Sequence, residues 1–263
     1  MQIFLHCNII RKEILQGKRF GRVWHTPLSE DTIMKKFLLT TVSLAAASLA
    51  AIALAGSASA TDFAGGTISY NVEATSDYVF RGLSQSSTKY STPAIQGGID
   101  YSHGMFYVGT WTSNVDFDGS KDYELDLYGG IKPTYKDFSF DFGVITYQYG
   151  TKGLNQSEVK ALVSHPFYKG TIGAAFYDNV TYAESGYYEV NASYPLTDKL
   201  SISGAVGEAA VSGFKYSTGN LGLTYAITPV FSVDVRAADT NIPEFSFTKF
   251  AKPRVAVTFK AAF

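Results

Sequence analysis

The sequence predicts an all-β protein, a transmembrane antiparallel up-and-down β-barrel with twelve strands and with ten or fourteen as alternatives. Three observations predict this fold. Apolar and polar residues alternate to the last residue, short turns alternate with longer polar loops, and charged residues keep to one phase of the strands. A segment that resembles an export signal precedes this pattern.

Residues 34–60 contain the parts of a secretory signal peptide, namely a basic start, an apolar run and a small-residue site ending at Ala60. We expect cleavage after Ala60, and a transmembrane anchor is the alternative because the apolar run is long. An export signal acts from the N-terminus of a chain. Met34 is therefore expected to be the true start, residues 1–33 an overcalled upstream extension, and residues 61–263 the barrel.

Composition limits the classes of function. Removal of residues 1–60 takes away seven of the 22 basic residues and three of the 23 acidic ones, which leaves a net charge of about −5. Without a basic stripe, nucleic-acid binding is not expected. The single cysteine, Cys7, lies in the removed part, so backbone pairing or burial must hold the exported protein together.

Period-two alternation is clear in Ile68–Ala74, Tyr123–Leu127 and Tyr188–Tyr194. The predicted strands are close to the 9–11 residues that a tilted strand needs to cross a bilayer. They cover about 67–82, 93–102, 105–115, 122–132, 138–149, 155–164, 168–178, 186–195, 200–210, 216–226, 231–239 and 253–263.

The connections between these strands are of two kinds. Tight turns are predicted at 102–104, 134–137, 165–167, 196–199 and 227–230. Longer polar loops are predicted at 83–92, 116–121, 150–154, 179–185, 211–215 and 240–252. This asymmetry is typical of outer-membrane barrels, whose short turns lie on the periplasmic side, and a soluble β-sandwich would not show it.

Charged residues share the polar phase of the strands, since a base on the lipid face at mid-bilayer costs about 2–4 kcal/mol. Glu208 and Asp178 break this phase near outer strand ends, where the cost is small. The pore-lining candidates are Glu73, Asp77, Arg81, Asp100, Glu124, Asp126, Asp141, Glu158, Lys160, Glu189, Asp234, Arg236, Arg254 and Lys260.

Aromatic residues cluster at strand ends and predict two girdles at the membrane surfaces, although Tyr and Phe are also good strand formers. The lower girdle would contain Tyr101, Phe106, Tyr135, Phe138, Tyr168, Tyr194, Tyr225, Phe231 and Phe263. The upper girdle would contain Tyr78, Phe80, Trp111, Tyr147, Tyr149, Tyr177 and Tyr187.

The stretch SDYVFRGLSQS at residues 76–86 places an acid and an arginine among aromatics. Its phase predicts that Tyr78 and Phe80 face lipid, while Asp77 and Arg81 face inward at the pore mouth. At about 3.3 Å per residue, Asp77 and Arg81 are too far apart for a direct ion pair on one strand, so each needs a partner on a neighbouring strand. Gly82 would release the chain into an outer loop.

Catalytic residues, metal ligands and cofactors are not predicted, and the chain is not expected to be an enzyme. The two histidines of the exported part, His103 and His165, lie in different predicted turns and have neither triad partners nor zinc-ligand spacing. Residues 114–120 imitate the start of a calcium loop, but the twelfth position is Leu125 rather than glutamate, and Asx-type turns are the alternative.

Four ordered motifs resemble the TorF family of exported proteins, which are regarded as porins. They are Ser76–Gly82 with Ser84-Gln85-Ser86, Pro93–Tyr101, Trp111–Phe117 and Glu124–Gly130. The resemblance implies an outer-membrane barrel without an assigned solute. Phe263, with Phe259 and Val257 in phase, resembles the signal read by the barrel-assembly machinery. The implied partners are outer-membrane lipid, that machinery, periplasmic chaperones and small hydrophilic solutes.

The expected function is passive diffusion of small hydrophilic solutes or ions through the outer membrane of a Gram-negative bacterium. Twelve strands lie between the eight that side chains fill and the sixteen that leave a water channel. An excess of inward acids favours cations or neutral solutes. The alternative is a non-conducting structural or partner-binding barrel whose lumenal charges neutralise one another. The solute and the oligomeric state are not predicted.

Overall fold

The alternating segments pair with their chain neighbours as antiparallel strands. The structure, a computed structural model, describes residues 60–86, 92–117, 120–242 and 250–263. The predicted upstream extension and almost all of the predicted signal peptide, residues 1–59, lie outside the described residues. Among the residues that the structure describes, none forms a helix long and apolar enough to span a bilayer.

The described residues contain twelve long strands that form one barrel. They are β1 (Gly66–Thr75), β2 (Ala94–His103), β3 (Phe106–Phe117), β4 (Ser120–Ile131), β5 (Phe138–Tyr149), β6 (Gln156–Phe167), β7 (Gly170–Asn179), β8 (Gly186–Pro195), β9 (Leu200–Val211), β10 (Phe214–Ala226), β11 (Phe231–Thr240) and β12 (Arg254–Ala262). Two short strands, Thr61–Phe63 and Thr134–Tyr135, extend the edges of β1 and β5.

The barrel closes because β1 pairs with both the second and the last strand. On one side Tyr70 lies opposite Ile99 of β2, and on the other Glu73 lies opposite Lys260 of β12. The Phe263 amide donates to the Tyr70 carbonyl at 2.9 Å, and the Tyr70 amide donates back at 3.1 Å. Closure gives each wall strand a neighbour on both sides, which a lipid environment requires. The predicted twelve-stranded antiparallel barrel is confirmed.

The two faces of the wall differ in polarity. Large apolar side chains are exposed on the outside, among them Val144, Val206 and Leu221. Their neighbours in the alternate phase point into the lumen, where Tyr147 and Glu124 are buried. An apolar exterior around a polar interior matches the band that a bilayer needs around a barrel.

The two ends of the barrel also differ. We call the end that carries the tight turns and Phe263 the turn end, and the opposite end the loop end. Two connections at the loop end are shorter than predicted, since pairing continues to Phe117–Ser120 and to Val211–Phe214. At the turn end β6 continues through His165, which lies opposite Ile172 of β7, so His165 is a strand residue and not part of a turn.

The largest departure from expectation concerns the first strand, which ends at Thr75 rather than near residue 82. The Ser76 amide donates to Val257 of β12, and the chain then leaves the wall and enters the lumen. Residues 76–86, called the inner hairpin below, contain the short strands Val79–Phe80 and Leu83–Ser84. The prediction that Tyr78 and Phe80 face lipid is therefore wrong, because the hairpin that carries them lies inside the barrel.

The aromatic residues divide between the two faces. At the turn end Phe106, Tyr135 and Tyr168 are exposed on the outside, as a girdle requires. The predicted upper girdle is wrong, because Trp111, Tyr147, Tyr149, Tyr177 and Tyr187 point into the lumen. Tyr147 and Tyr149 illustrate the reason, since they share the phase of the inward Asp141 on β5, and their hydroxyls reach lumenal carboxylates.

We expect a charge at residue 144 to destabilise the barrel much more than a charge at the adjacent residue 145. Val144 is 56% exposed on the outside, whereas Ile145 lines the lumenal cavity with Asp126. In lipid vesicles Val144→Arg should lower the free energy of unfolding by about 2–4 kcal/mol, the cost of arginine at mid-bilayer. Ile145→Arg should lower it by much less, because the new cation meets the polar lumen and an acid. Urea unfolding measures both, and equal losses would contradict the assigned faces.

Candidate functional site

The lumen is the candidate functional site, and the inner hairpin crosses it. Its two strands pair Val79 with Ser84 and Phe80 with Leu83. The two residues between them, Arg81 and Gly82, have φ values of 49° and 81°. Positive φ at both central positions is the geometry of a tight two-residue hairpin turn, which glycine adopts freely and arginine only at a cost.

Arg81 binds the far wall of the lumen. Its two terminal nitrogens donate to the two carboxylate oxygens of Glu158 on β6 at 2.8 and 2.7 Å. Only 13% of the Arg81 side chain and 3% of the Glu158 side chain are exposed. The Tyr147 hydroxyl donates a further hydrogen bond to Glu158 at 3.0 Å. Two parallel hydrogen bonds between a guanidinium and a carboxylate fix the orientation of the guanidinium as well as its position.

Three aromatic rings surround the Arg81 guanidinium. Its central carbon lies 4.6 Å from the ring centre of Phe80, 4.9 Å from that of Tyr177 and 4.7 Å from that of Tyr187. These distances are within the range of cation–π attraction, which is strongest where water is excluded. The rings and Glu158 together hold the tip of the hairpin against the wall.

The base of the hairpin is bound to the strand that closes the barrel. The Asp77 carboxylate accepts from Arg254 of β12 at 2.7 Å and from the Ser84 hydroxyl. The Ser84 amide donates to Phe250 at 2.9 Å. At the tip, the Tyr216 hydroxyl of β10 donates to the Arg81 carbonyl at 3.2 Å. The hairpin is thus fixed at both ends.

The inner hairpin separates two cavities. A cavity of about 710 Å³ lies toward the turn end and is lined by wall residues such as Glu73, Asp234 and Lys260. A smaller cavity of about 260 Å³ lies toward the loop end, where its lining is mainly apolar and includes Leu154. Phe80 and Arg81 line both cavities, so the hairpin tip is the boundary between them.

The structure places the predicted pore-lining residues either on the inward face of the wall or on the inner hairpin. Each of the five bases among them forms an ion pair with one of the acids. These pairs are Arg81–Glu158, Lys160–Asp141, Arg236–Asp234, Arg254–Asp77 and Lys260–Glu73. As predicted, Asp77 and Arg81 do not pair with each other, but Arg81 reaches a distant strand instead of a neighbouring one.

Four acids of this set have no cation partner among the described residues. Asp100 accepts a hydrogen bond from Tyr128, and Glu189 accepts from Tyr187 and Asn191. These neutral donors stabilise a carboxylate but leave its charge in place. The set therefore carries an excess of negative charge inside a closed wall.

The other two of these acids, Glu124 and Asp126, lie one above the other on β4. Their exposed fractions are 1% and 7%. Tyr149 donates to one oxygen of Glu124 at 2.8 Å. The second oxygen of Glu124 and one oxygen of Asp126 are buried without a hydrogen-bond partner among the described residues. Buried carboxylate oxygens of this kind attract cations or hydrogen-bond donors.

The structure also places the residues that the sequence suggested for catalysis or metal binding. His103 is exposed at the end of β2, and the His165 ring lies 4.6 Å from the Phe138 ring. Within the described residues, no cluster of three or more His, Cys, Asp or Glu side chains could hold a metal ion. Residues 118–119 of the proposed calcium loop lie outside the described residues, and the Asp116 amide donates to Gln85 of the inner hairpin.

Sequence reasoning missed the lumenal tyrosines. Tyr147, Tyr149, Tyr177 and Tyr187 contact the hairpin or the carboxylates, yet they were assigned to a lipid-facing girdle because they occur near strand ends. A signal was present, since Tyr187 has the phase of Glu189 on its own strand. Strict use of period two would have placed all four inside.

The chain belongs to a family of bacterial proteins of unknown function (Gcw_chp), whose model matches residues 59–263. The comparison with curated protein sequences gave no match.

Solved outer-membrane porins have a similar fold. The structure of the KdgM porin in complex with disordered oligogalacturonate is similar with a TM-score of 0.54 and 11% identity, over 74% of this chain and 98% of that one. The NanC porin is similar with a TM-score of 0.51 and 8% identity, over 74% and 98% of the two chains. At such identities the likeness is one of fold.

We expect the substitution Gly82→Ala to displace the inner hairpin from its position against the barrel wall. A β-carbon there would lie 2.3 Å from the Thr218 hydroxyl oxygen and 2.5 Å from a Thr240 methyl carbon. Gly153 is a matched control, because its φ is 82° and a β-carbon there meets nothing within 4 Å. Gly82→Ala should speed hydrogen exchange at the Ser84 and Gln85 amides by roughly tenfold or more, whereas Gly153→Ala should not. Unchanged hydrogen exchange in both variants would refute the close packing of Gly82 against the barrel wall.

Proposed function

We propose that this chain is an outer-membrane channel through which small hydrophilic solutes or ions diffuse passively, with a preference for cations. The observation that carries the proposal is a closed barrel with an apolar exterior around a charged cavity of about 710 Å³. Lipid accepts such an exterior, and only water or polar solutes are stable in such an interior.

The charge of the lumen supports the preference for cations. Five acids are paired with bases, and Asp100, Glu124, Asp126 and Glu189 are not. Rings of uncompensated carboxylates select cations in other pores. The oligogalacturonate bound by the KdgM porin carries carboxylates of its own, so we do not extend that class of solute to this chain.

The remaining parts of the proposal concern export and assembly. The resemblance to the TorF porin family and the predicted signal peptide, with cleavage expected after Ala60, support an outer-membrane location with the turn end in the periplasm. Periplasmic chaperones and the barrel-assembly machinery are the proposed partners, with Phe263, Phe259 and Val257 as the signal that the machinery reads. Phe263 sits at the seam of the barrel, opposite Tyr70.

A non-conducting barrel is the second candidate, and one observation favours it. The inner hairpin lies across the lumen, and its Leu83 packs with Tyr187, Ala209 and Tyr216 in an apolar cluster. In that case the loop end would bind a partner, and the charged cavity would be structural.

Planar bilayers distinguish the two candidates. We expect the refolded protein to give discrete, reproducible conductance steps, because the charged cavity holds water and ions. Heat-dependent gel mobility verifies that the sample is a folded barrel, and the same sample after boiling is the control. A folded sample that gives no steps would leave the non-conducting barrel as the function.

Neutralising two carboxylates should lower the cation preference of the pore. The double variant Asp100→Asn with Glu189→Gln should reduce the reversal potential in a potassium chloride gradient by roughly half, since these two carboxylates have no cation partner and are stabilised as anions by neutral donors. Glu208→Gln is the matched control, because Glu208 pairs with Lys215 outside the lumen. If the double variant and the control leave the potential alike, Asp100 and Glu189 do not set selectivity.

A further inference from the structure

The pocket that holds the Arg81 guanidinium is built mainly by the barrel wall. Glu158, Tyr177 and Tyr187 belong to β6, β7 and β8, and Tyr147, which donates to Glu158, belongs to β5. Each of these strands is paired on both sides along the barrel. The wall therefore presents a carboxylate beside two tyrosine rings, whether or not the inner hairpin fills the space between them.

The geometry of this pocket fits a guanidinium better than other cations. Glu158 offers both oxygens to two parallel N–H groups, which a planar guanidinium supplies and an ammonium does not. The Tyr177 and Tyr187 rings lie within 5 Å of the guanidinium carbon, where a flat delocalised cation gains most from their faces. A neutral amide of the same shape would lose the charge-assisted part of both interactions.

Solutes can approach the pocket from both sides. Arg81 lines the cavity toward the loop end together with Glu158, and it lines the cavity toward the turn end together with Tyr177 and Tyr187. Arg81 itself is tethered beside the pocket, so its effective concentration is high and it competes strongly with any free solute. The apparent affinity for a free ligand falls with the fraction of pockets that are vacant.

We infer that Glu158, Tyr177 and Tyr187 form a binding site for solutes that carry a guanidinium group, and that Arg81 occupies this site as an internal ligand. The inference deepens the proposed function, since it names a class of solute for the same lumen. A guanidinium solute that displaces the Arg81 side chain removes the ion pair between the tip of the inner hairpin and Glu158 of the wall.

Removal of the internal ligand tests the site directly. Arg81→Gly is the suitable variant, because glycine adopts the positive φ of residue 81 without strain and a Gly-Gly pair favours this turn. Arg81→Asn is a second variant, since asparagine also tolerates this backbone conformation. Heat-dependent gel mobility verifies that each variant is a folded barrel. The probes are ethylguanidinium and its neutral analogue ethylurea, titrated by calorimetry into protein in lipid nanodiscs.

We expect Arg81→Gly to bind ethylguanidinium with one saturable site, and wild type to bind it at least roughly tenfold more weakly because Arg81 competes. The double variant Arg81→Gly with Glu158→Gln should lose this binding by roughly tenfold or more, since the charged acceptor is gone. Ethylurea should not bind. The inference is overturned if the single and double variants bind ethylguanidinium alike, or if ethylurea binds as well as ethylguanidinium.

Conductance separates this inference from the proposed function. In a conducting Arg81→Gly channel, ethylguanidinium should reduce the current, and ethylurea should not. Saturable binding in a barrel that never conducts would support the site and refute the channel. Conductance steps in a variant that binds no ethylguanidinium would support the channel and overturn the site.

Discussion

Closure of the backbone hydrogen-bond ladder is the constraint on which the rest of the structure depends. An unpaired amide or carbonyl costs several kcal/mol in hydrocarbon, so the first wall strand must meet the last. β1 does so between β12 and β2, with Tyr70 and Phe263 exchanging hydrogen bonds at the seam. Closure fixes the register of every strand, and register decides which side chains face lipid and which face the lumen.

A closed wall then creates an electrostatic requirement inside. Charges that cannot face lipid are confined together, and each buried one needs a partner. The inner hairpin supplies two of these partners, because Arg81 neutralises Glu158 and Asp77 neutralises Arg254. The inner hairpin thus narrows the lumen and also supplies counter-charges for two charged residues of the wall. Carboxylates without a cation partner, such as Asp100 and Glu189, leave the lumen negative.

The strands of the wall could be predicted from the sequence because a strand between lipid and water has one apolar and one polar side. Apolar and polar residues therefore alternate along it. The end of β1 could not be predicted in this way. Period two continues through Tyr78 and Phe80, although the chain has already left the wall at Thr75. What turns it inward is pairing with residues far along the chain, as in the bond from Arg81 to Glu158 across 77 positions. A local pattern carries no information about such a partner.

The attachment of the inner hairpin to β12 has a consequence for the order of folding. Asp77 lies near the start of the barrel sequence, and its partner Arg254 follows it by 177 positions. The Ser84 amide likewise donates its hydrogen bond to Phe250, which lies just before the last strand. The base of the hairpin therefore gains these contacts only after residues 250–254 have reached the barrel. Because contacts between distant parts of a chain form late, we expect the wall to close before the base of the hairpin is fixed. On that order, the lumen of the closing barrel is wider before the base of the hairpin is fixed than after it.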